Sequence, residues 1–316
     1  MLFRSAAEHD FYLGIGPVIV GDKHDGRFPA WAADLVRQTR KIGFSVCVAS
    51  RNLGVHRRTA LLAAETIAAL AATDAYGEGN FLFAAAALVP AGTPFFPVAW
   101  FRDARTFSLG LESVGLLQEV FASTSDREQA KRRLRRRLNE ELAPIQEIAH
   151  RVARSTGWHY LGLDVSPAPS PDASIGEAIE TLTGAPFGSP STLAGCAAIT
   201  DVLHSLDVET CGYSGLMLPV LEDKVLARRA AEGRFGVSDL LLYSSVCGTG
   251  LDTVPVPGDT SPQVLAALIE DTAALAVKYR KPLSVRLLPI PGKSVGDVVR
   301  IDNPHLTEGV VMDPAS

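Results

Sequence analysis

At 316 residues, with 47% hydrophobic and 21% charged side chains, the chain can bury a full core and is expected to form a single α/β domain over 1–316, divisible into halves at 1–156 and 157–316. Its net charge of −5 argues against nucleic acid as a partner, because phosphate binding draws on surplus Lys and Arg. No eighteen-residue apolar run occurs, and residues 1–9 carry acid where a signal peptide needs an apolar stretch, so no membrane partner is expected.

In chain order, β-favouring runs at 11–20 and 44–49 flank a helix over 31–42 that carries Trp31, Leu35 and Ile42 at helical spacing. An Ala/Leu-rich helix follows over 57–76, then strands over 81–89 and 94–101 joined by Pro90-Ala-Gly-Thr, and a short strand over 106–111. Asp126 opens a long helix with Leu134, Leu138, Leu142, Ile145, Ala149 and Val152 on one face and an expected kink at Pro144. From there, units of strand, turn-rich loop and helix repeat. Strand 160–163 leads into Asp164-Val-Ser-Pro-Ala-Pro-Ser-Pro-Asp172 and a helix that Ser174 and Glu177 begin as a capping box. A helix over 191–206, a strand over 212–218 and a helix ending near Gly233 come next, then a strand over 239–244 and a loop over 246–259. Ser261 and Pro262 start another helix, and strand 283–288 runs into the loop 289–296. Alternating strands and helices of these lengths predict a mostly parallel sheet, whose ligands sit beyond the carboxyl ends of the strands.

The polar clusters lie at those strand ends, with Cys247 at the centre in Tyr-Ser-Ser-Val-Cys-Gly-Thr-Gly-Leu-Asp. Gly248 and Gly250 let the backbone turn tightly around the thiol. Two readings stay open for Cys247: an acid, base or nucleophile, or a small buried hydrophobe. Cys47 and Cys196 read as core. The four cysteines, Cys211 included, form no CxxC pair, so structural zinc is not expected and a reducing, cytoplasmic setting is. Asp164 and Asp252 are candidates for proton transfer, since paired acids divide acid and base roles when their surroundings split their pKa values. Ser166, Tyr213, Ser214 and Ser244 would donate hydrogen bonds to substrate, while Arg286 and Lys293 would hold negative charge. Arg286 stands inside an apolar strand, where a charge needs a carboxylate or a bound anion.

No cofactor is expected. The alternative is a divalent metal, Mg²⁺ or Ca²⁺, on Glu222, Asp223 and Asp259, although acids in the first turn of a helix also serve as caps. Pro-Gly-Lys293-Ser is not a phosphate loop, because Leu287 stands where the first glycine belongs. Gly14-Ile-Gly16-Pro17 lacks the third glycine of a dinucleotide fingerprint, and neither HExxH nor GxSxG occurs. The basic run Lys131-Arg-Arg-Leu-Arg-Arg-Arg137 reads as a solvated helix face or a subunit contact, which leaves a homo-oligomer open.

The motifs Asp-Val-Ser-Pro-Ala-Pro-Ser-Pro, Gly-Tyr-Ser-Gly-Leu-Met-Leu-Pro-Val-Leu-Glu-Asp, Tyr-Ser-Ser-Val-Cys-Gly-Thr-Gly-Leu-Asp-Thr-Val-Pro-Val-Pro-Gly-Asp and Arg-Leu-Leu-Pro-Ile-Pro-Gly-Lys, with Pro94-Phe-Phe-Pro and Leu109-Gly-Leu-Glu, resemble the uncharacterised family often labelled PFL family protein over about residues 80–312. The resemblance implies a ten-stranded α/β barrel related to pyruvate formate-lyase and other glycyl radical enzymes, with a loop, here that of Cys247, inside it. The Arg-Val-x-Gly-Tyr segment that carries the radical has no counterpart in this chain. The expectation is therefore a non-radical enzyme of the lyase or isomerase type acting on a small polar or anionic metabolite. A metal-dependent enzyme and a non-catalytic metabolite-binding or regulatory protein are the alternatives.

Overall fold

The computed structural model describes residues 11–101, 105–170 and 172–316; the reading of residues 1–9, and Pro171 of the Asp164 motif, lie outside them. It is a mixed α/β fold with nine α-helices among the described residues. The first half supplies β1 (Leu13–Ile19), α1 (Phe28–Thr39), β2 (Ile42–Ser50), β3 (Gly54–Val55), α2 (Arg57–Ala71), a 3₁₀ turn (Glu78–Leu82), β4 (Phe83–Ala87), β5 (Thr106–Gly110), α3 (Val114–Ala122) and α4 (Arg127–Thr156). The second supplies β6 (His159–Asp164), α5 (Ile175–Thr183), α6 (Thr192–His204), α7 (Lys224–Ala231), α8 (Val237–Ser244), β7 (Gly250–Pro257), α9 (Pro262–Tyr279), β8 (Leu283–Ile290), β9 (Val298–Val299) and β10 (Gly309–Val310).

The main sheet has six strands in the order β1-β2-β4-β8-β7, with β3 paired to β2. Strands β1, β2 and β4 run parallel, β8 turns antiparallel to β4, and β7 runs parallel to β8. Beyond β7, Pro219 bridges Asp252, and Thr210 bridges Leu163 of β6, which pairs in parallel with β5. Closure of these strands into a ten-stranded barrel is not among the pairings of the described residues.

The two faces of the sheet differ, as the period of two along a strand allows. Phe44, Val46 and Val48 of β2, Phe83, Ala85 and Ala87 of β4, and Val285 and Leu287 of β8 join the main apolar core. Helices α2 and α9 pack on that side and contribute Leu62, Ile67, Leu70, Leu265, Ile269 and Ala273. The opposite face is small and polar: Gly14, Gly16, Gly43, Ser45, Ala84, Ala86, Ser284 and Arg286. That smallness admits the segment 92–101, a hairpin closed by Gly92 N–H to Trp100 O and Trp100 N–H to Thr93 O, with a cis Phe96-Pro97 bond. A Cβ at Gly43 would stand 2.2 Å from the Phe96 ring, and one at Gly16 2.5 Å from Trp100. The segment over this face is therefore 92–101, of which 94–101 read from sequence as a strand, and not the Cys247 loop.

Three other elements differ from their sequence reading. Residues 239–244 belong to α8, where Asp239 accepts the Gly236 N–H at 2.9 Å. Residues 250–257 form β7 rather than part of a loop. Residues 212–218 are irregular chain joining the Thr210 and Pro219 bridges. Ile42, read as the end of a helix, is the first residue of β2, and the start signals of the later helices hold in part. Asp126 caps α4, which runs unbroken through Pro144, and Ser261 caps α9. Ser174 accepts the Glu177 N–H, but the Glu177 carboxylate accepts from Gln118 instead of closing the box. Four residues of the basic run on α4 are paired with acids: Lys131 with Asp201, Arg135 with Asp207, Arg136 with Glu140 and Arg137 with Glu141. No helix of the described residues is long and apolar enough to cross a membrane.

Candidate functional site

Strand β8 reads Leu-Ser-Val-Arg-Leu-Leu-Pro-Ile, and its alternation turns Ser284 and Arg286 to the inner face. Arg286 is 7% exposed. An isolated guanidinium there would be costly, and two acids answer it. Its Nε donates to Asp252 Oδ1 at 2.5 Å and its Nη2 to Glu222 Oε1 at 2.6 Å. Asp252 comes from the adjacent strand β7, Glu222 from the turn before α7. The guanidinium carbon also lies 5.6 Å from the centre of the Phe81 ring, a cation–π contact. Burial opposes the charge on Arg286, but Asp252 and Glu222 hold its pKa above the ordinary value. Burial pushes Glu222 up, as does Asp252, against the pull of Arg286.

Around this centre lies a cavity of about 70 Å³ lined also by Tyr213, Thr249, Ser284 and the hairpin residues Phe95–Val98. The Tyr213 hydroxyl donates to Ser284 Oγ at 2.8 Å, and Ser284 Oγ donates to Thr249 O at 3.2 Å. Burial raises the Tyr213 pKa well above the ordinary phenol value. Thr249 Oγ1 is buried with no hydrogen-bond partner among the described residues. Thr249 and Phe81 carried no sequence signal. A threonine in a glycine-rich turn and a phenylalanine in an apolar run are ordinary until their neighbours are known.

The raised pKa of Glu222 gives a stability test. A carboxyl whose folded pKa exceeds its unfolded value binds its proton more tightly in the native state, so its contribution is full below the ordinary value of 4.5 and is lost as pH rises through the folded value. Glu222→Gln cannot titrate. Urea unfolding measured from pH 4.5 upward is expected to show wild type losing stability relative to this variant; a constant difference would contradict the assignment.

The other candidates divide by position. Asp164, fully buried, accepts from Ser166 N and Oγ (3.2 and 2.6 Å), Tyr213 N (2.7 Å) and Ser214 N (2.8 Å). Burial raises its pKa against those four donors. Ser166 Oγ in turn accepts Gly215 N–H, and Ser214 Oγ donates to Cys211 O. The group thus fastens the end of β6 to the 211–215 turn that presents Tyr213. Gly212 is required there, since φ is +63° and a Cβ would stand 2.1 Å from Asp164 Oδ2. Asp223 caps α7 and also accepts from Ser174 Oγ and the N–H groups of Ile175 and Gly176, so one carboxylate serves two helix N-termini. Asp259 and Lys293 are exposed and do not line the Arg286 cavity, and Ser244 donates to Leu240 O within its own helix. No group of three metal-ligating side chains occurs among the described residues.

Cys247 is 1% exposed and follows α8, its N–H bonded to Tyr243 O and its carbonyl accepting from Lys281 Nζ at 2.5 Å. It lines a different cavity from Arg286, although Tyr213 borders both. Gly248 and Gly215 cross so closely that a Cβ on either would stand about 2.5 Å from the other's backbone, which is what the glycines beside Cys247 provide.

Fold and site together define a mixed-sheet α/β protein with a buried arginine held by two carboxylates on the inner face. The chain belongs to the family described as Uncharacterised ACR (DUF711), which it matches over residues 21–302. It is 30% identical over 276 residues to a UPF0210 protein of Pyrobaculum arsenaticum, covering 84% of this chain and 60% of that one. A UPF0210 protein of Syntrophobacter fumaroxidans is 29% identical over 311 residues, 91% of this chain and 67% of its own length. One of Lactiplantibacillus plantarum is 36% identical over 141 residues, 43% and 32% respectively. The chain thus spans about three fifths of the length of curated relatives such as that of Pyrobaculum arsenaticum. Their names state no activity and no kinship with pyruvate formate-lyase.

Proposed function

We propose that the protein is a non-radical enzyme that acts on a small polar or anionic metabolite at the Arg286 cavity, through acid–base chemistry of the lyase or isomerase type. The observation that carries this reading is the convergence of Arg286, Asp252, Glu222, Tyr213 and a Thr249 hydroxyl unpartnered among the described residues on one small cavity. Polar groups collected at that expense of desolvation, with perturbed pKa values, are characteristic of reacting sites. In this reading Glu222 moves the proton, because a carboxyl shifted upward is closer to the pH at which it must both give and take one. Asp252 and Arg286 orient it, the Thr249 hydroxyl binds substrate oxygen, and Tyr213 holds Ser284 in place at the cavity wall. The proton-transfer role passes from Cys247 and Asp164 to Glu222, since neither of the former lines the Arg286 cavity.

About 70 Å³ holds water but no metabolite. Substrate entry therefore requires the 92–101 hairpin to shift, a motion of the kind that sequesters a reaction from water. The barrel architecture belongs to the same proposal. The single bridges at Pro219 and Leu163 continue the main sheet toward β6 and β5 in the parallel sense that a barrel needs. Four unpaired cysteines favour a reducing, cytoplasmic setting.

The test is conversion of a small-metabolite extract followed by mass spectrometry. Glu222→Gln, nearly isosteric, is expected to slow the turnover seen with wild type by about 10²–10⁴-fold. Turnover by that variant at the wild-type rate would overturn the assignment.

A further inference from the structure

The cavity beside Cys247, about 310 Å³ in volume, is formed where α6, α8 and α9 end. The polar groups in its wall carry spare hydrogen-bond donors. Lys281 is half-buried, and among the described residues its Nζ has one partner, the Cys247 carbonyl, and no carboxylate within ion-pair distance. Burial accordingly lowers its pKa. Thr200 is 8% exposed, and its Oγ1, which as a helical threonine would ordinarily bond a carbonyl one turn back, has no partner among the described residues. Arg280 and His204 add further donors to the wall, while the acid of the wall, Asp201, is drawn to Lys131 at 3.6 Å.

The converging helix C-termini carry partial negative charge that would by itself favour a cation. Their carbonyls are largely satisfied by the turns that close them. Arg280 and Lys281 N–H both bond Ala276 O, Cys247 and Val246 N–H bond Tyr243 O, and Ser205 N–H bonds Val202 O. Among the described residues the surplus is thus a half-buried ammonium without a counter-charge and a buried hydroxyl without a partner, the latter expensive unless a ligand completes it.

We infer that this cavity binds a small metabolite through a carboxylate or phosphate group, held by the Lys281 ammonium and the Thr200 hydroxyl. Its volume sits at the lower end of the range of small-molecule pockets, which suits a compact ligand. Because Tyr213 borders both cavities, a bound anion would touch the residue whose hydroxyl reaches Ser284. The site does not depend on the reading of the Arg286 cavity.

The experiment titrates the intact protein with inorganic phosphate and, separately, with malonate at millimolar concentration, and follows Tm. A dose-dependent rise with either probe is expected, and the probe that acts identifies the group. Thr200→Val, matched in shape, is expected to weaken the apparent affinity about tenfold, and Lys281→Met to abolish the rise. Glu222→Gln should respond as wild type does, which separates this cavity from the Arg286 centre. Absence of any rise with both anions, or an undiminished rise in both Thr200→Val and Lys281→Met, would overturn the site.

Discussion

Replacing Arg286 by methionine is expected to lower stability by about 3–5 kcal/mol at neutral pH, the cost of breaking a buried pair by removing one partner. Methionine keeps the length and fills the space against Phe81, so the loss is one of charge and hydrogen bonding rather than of volume. Asp252 is 6% exposed and Glu222 partly buried; without the guanidinium they are two like charges in a poor solvent for charge. The Glu222 carboxyl, already raised by burial, then holds its proton still more tightly in the folded than in the unfolded state. Its contribution is intact below the ordinary value of 4.5 and is lost as pH rises through the raised one. The deficit relative to wild type should therefore shrink on going from pH 7 toward pH 4. Adding Asp252→Asn and Glu222→Gln to Arg286→Met removes the stranded charges and is expected to recover most of the loss, since a buried triad contributes little net stability beyond apolar packing. Urea unfolding of the single and triple variants across that range decides it. A pH-independent deficit, or one below about 1 kcal/mol, would show that the triad is not the buried ion cluster described.

Arg286 itself was legible in the sequence because a charge in Leu-Ser-Val-Arg-Leu-Leu has no inexpensive explanation, and the demand for a carboxylate partner followed. Which acids answered was not legible. Asp252 is 34 residues away and Glu222 is 64, and only the parallel pairing of β7 with β8 brings Asp252 alongside. That pairing was hidden because Pro255 and Pro257 read as loop. They are tolerated in β7 because its outer side carries isolated contacts instead of a full ladder: Val220 N–H to Asp252 O and Met312 N–H to Pro255 O. The helix α8 was missed for the opposite reason. Leu240-Leu-Leu-Tyr243 is too short an apolar run for periodicity to separate helix from strand, and the deciding signal was the cap pair of Gly236 and Asp239. The small inner-face residues of β1, β2 and β4 were readable as strand but not as a floor for a hairpin, because that depends on Phe96 arriving from another segment. Asp164 and Asp223 drew attention as acids at element ends. Their chemistry turned out to be that of acceptors for buried N–H groups, which the sequence weighed only as a general tendency of helix caps.

Asp164→Ala is expected to be the other severe substitution, at no less than about 3 kcal/mol, because it strands donors rather than merely removing a charge. Tyr213 N–H, Ser214 N–H and the Ser166 hydroxyl all end on this carboxylate, and a buried donor left without an acceptor costs about 1–3 kcal/mol. Ser166 Oγ can rotate, but the two backbone groups cannot, since Ser214 is already held at φ +43°. Asp164→Asn separates charge from acceptance. Its oxygen at the Oδ1 position keeps the bonds from Ser166 and Ser214, while the amide at the other position faces Tyr213 N–H with a donor. The asparagine variant should therefore lie between wild type and alanine, and urea unfolding reads the order directly. The same ordering should appear in function, because Tyr213 is the residue this carboxylate positions: its hydroxyl reaches Ser284 across the cavity only while its own N–H is pinned to Asp164 Oδ2. If alanine were no worse than asparagine, the donors would be finding other acceptors, and Asp164 would not be what fixes the Tyr213 turn to the end of β6.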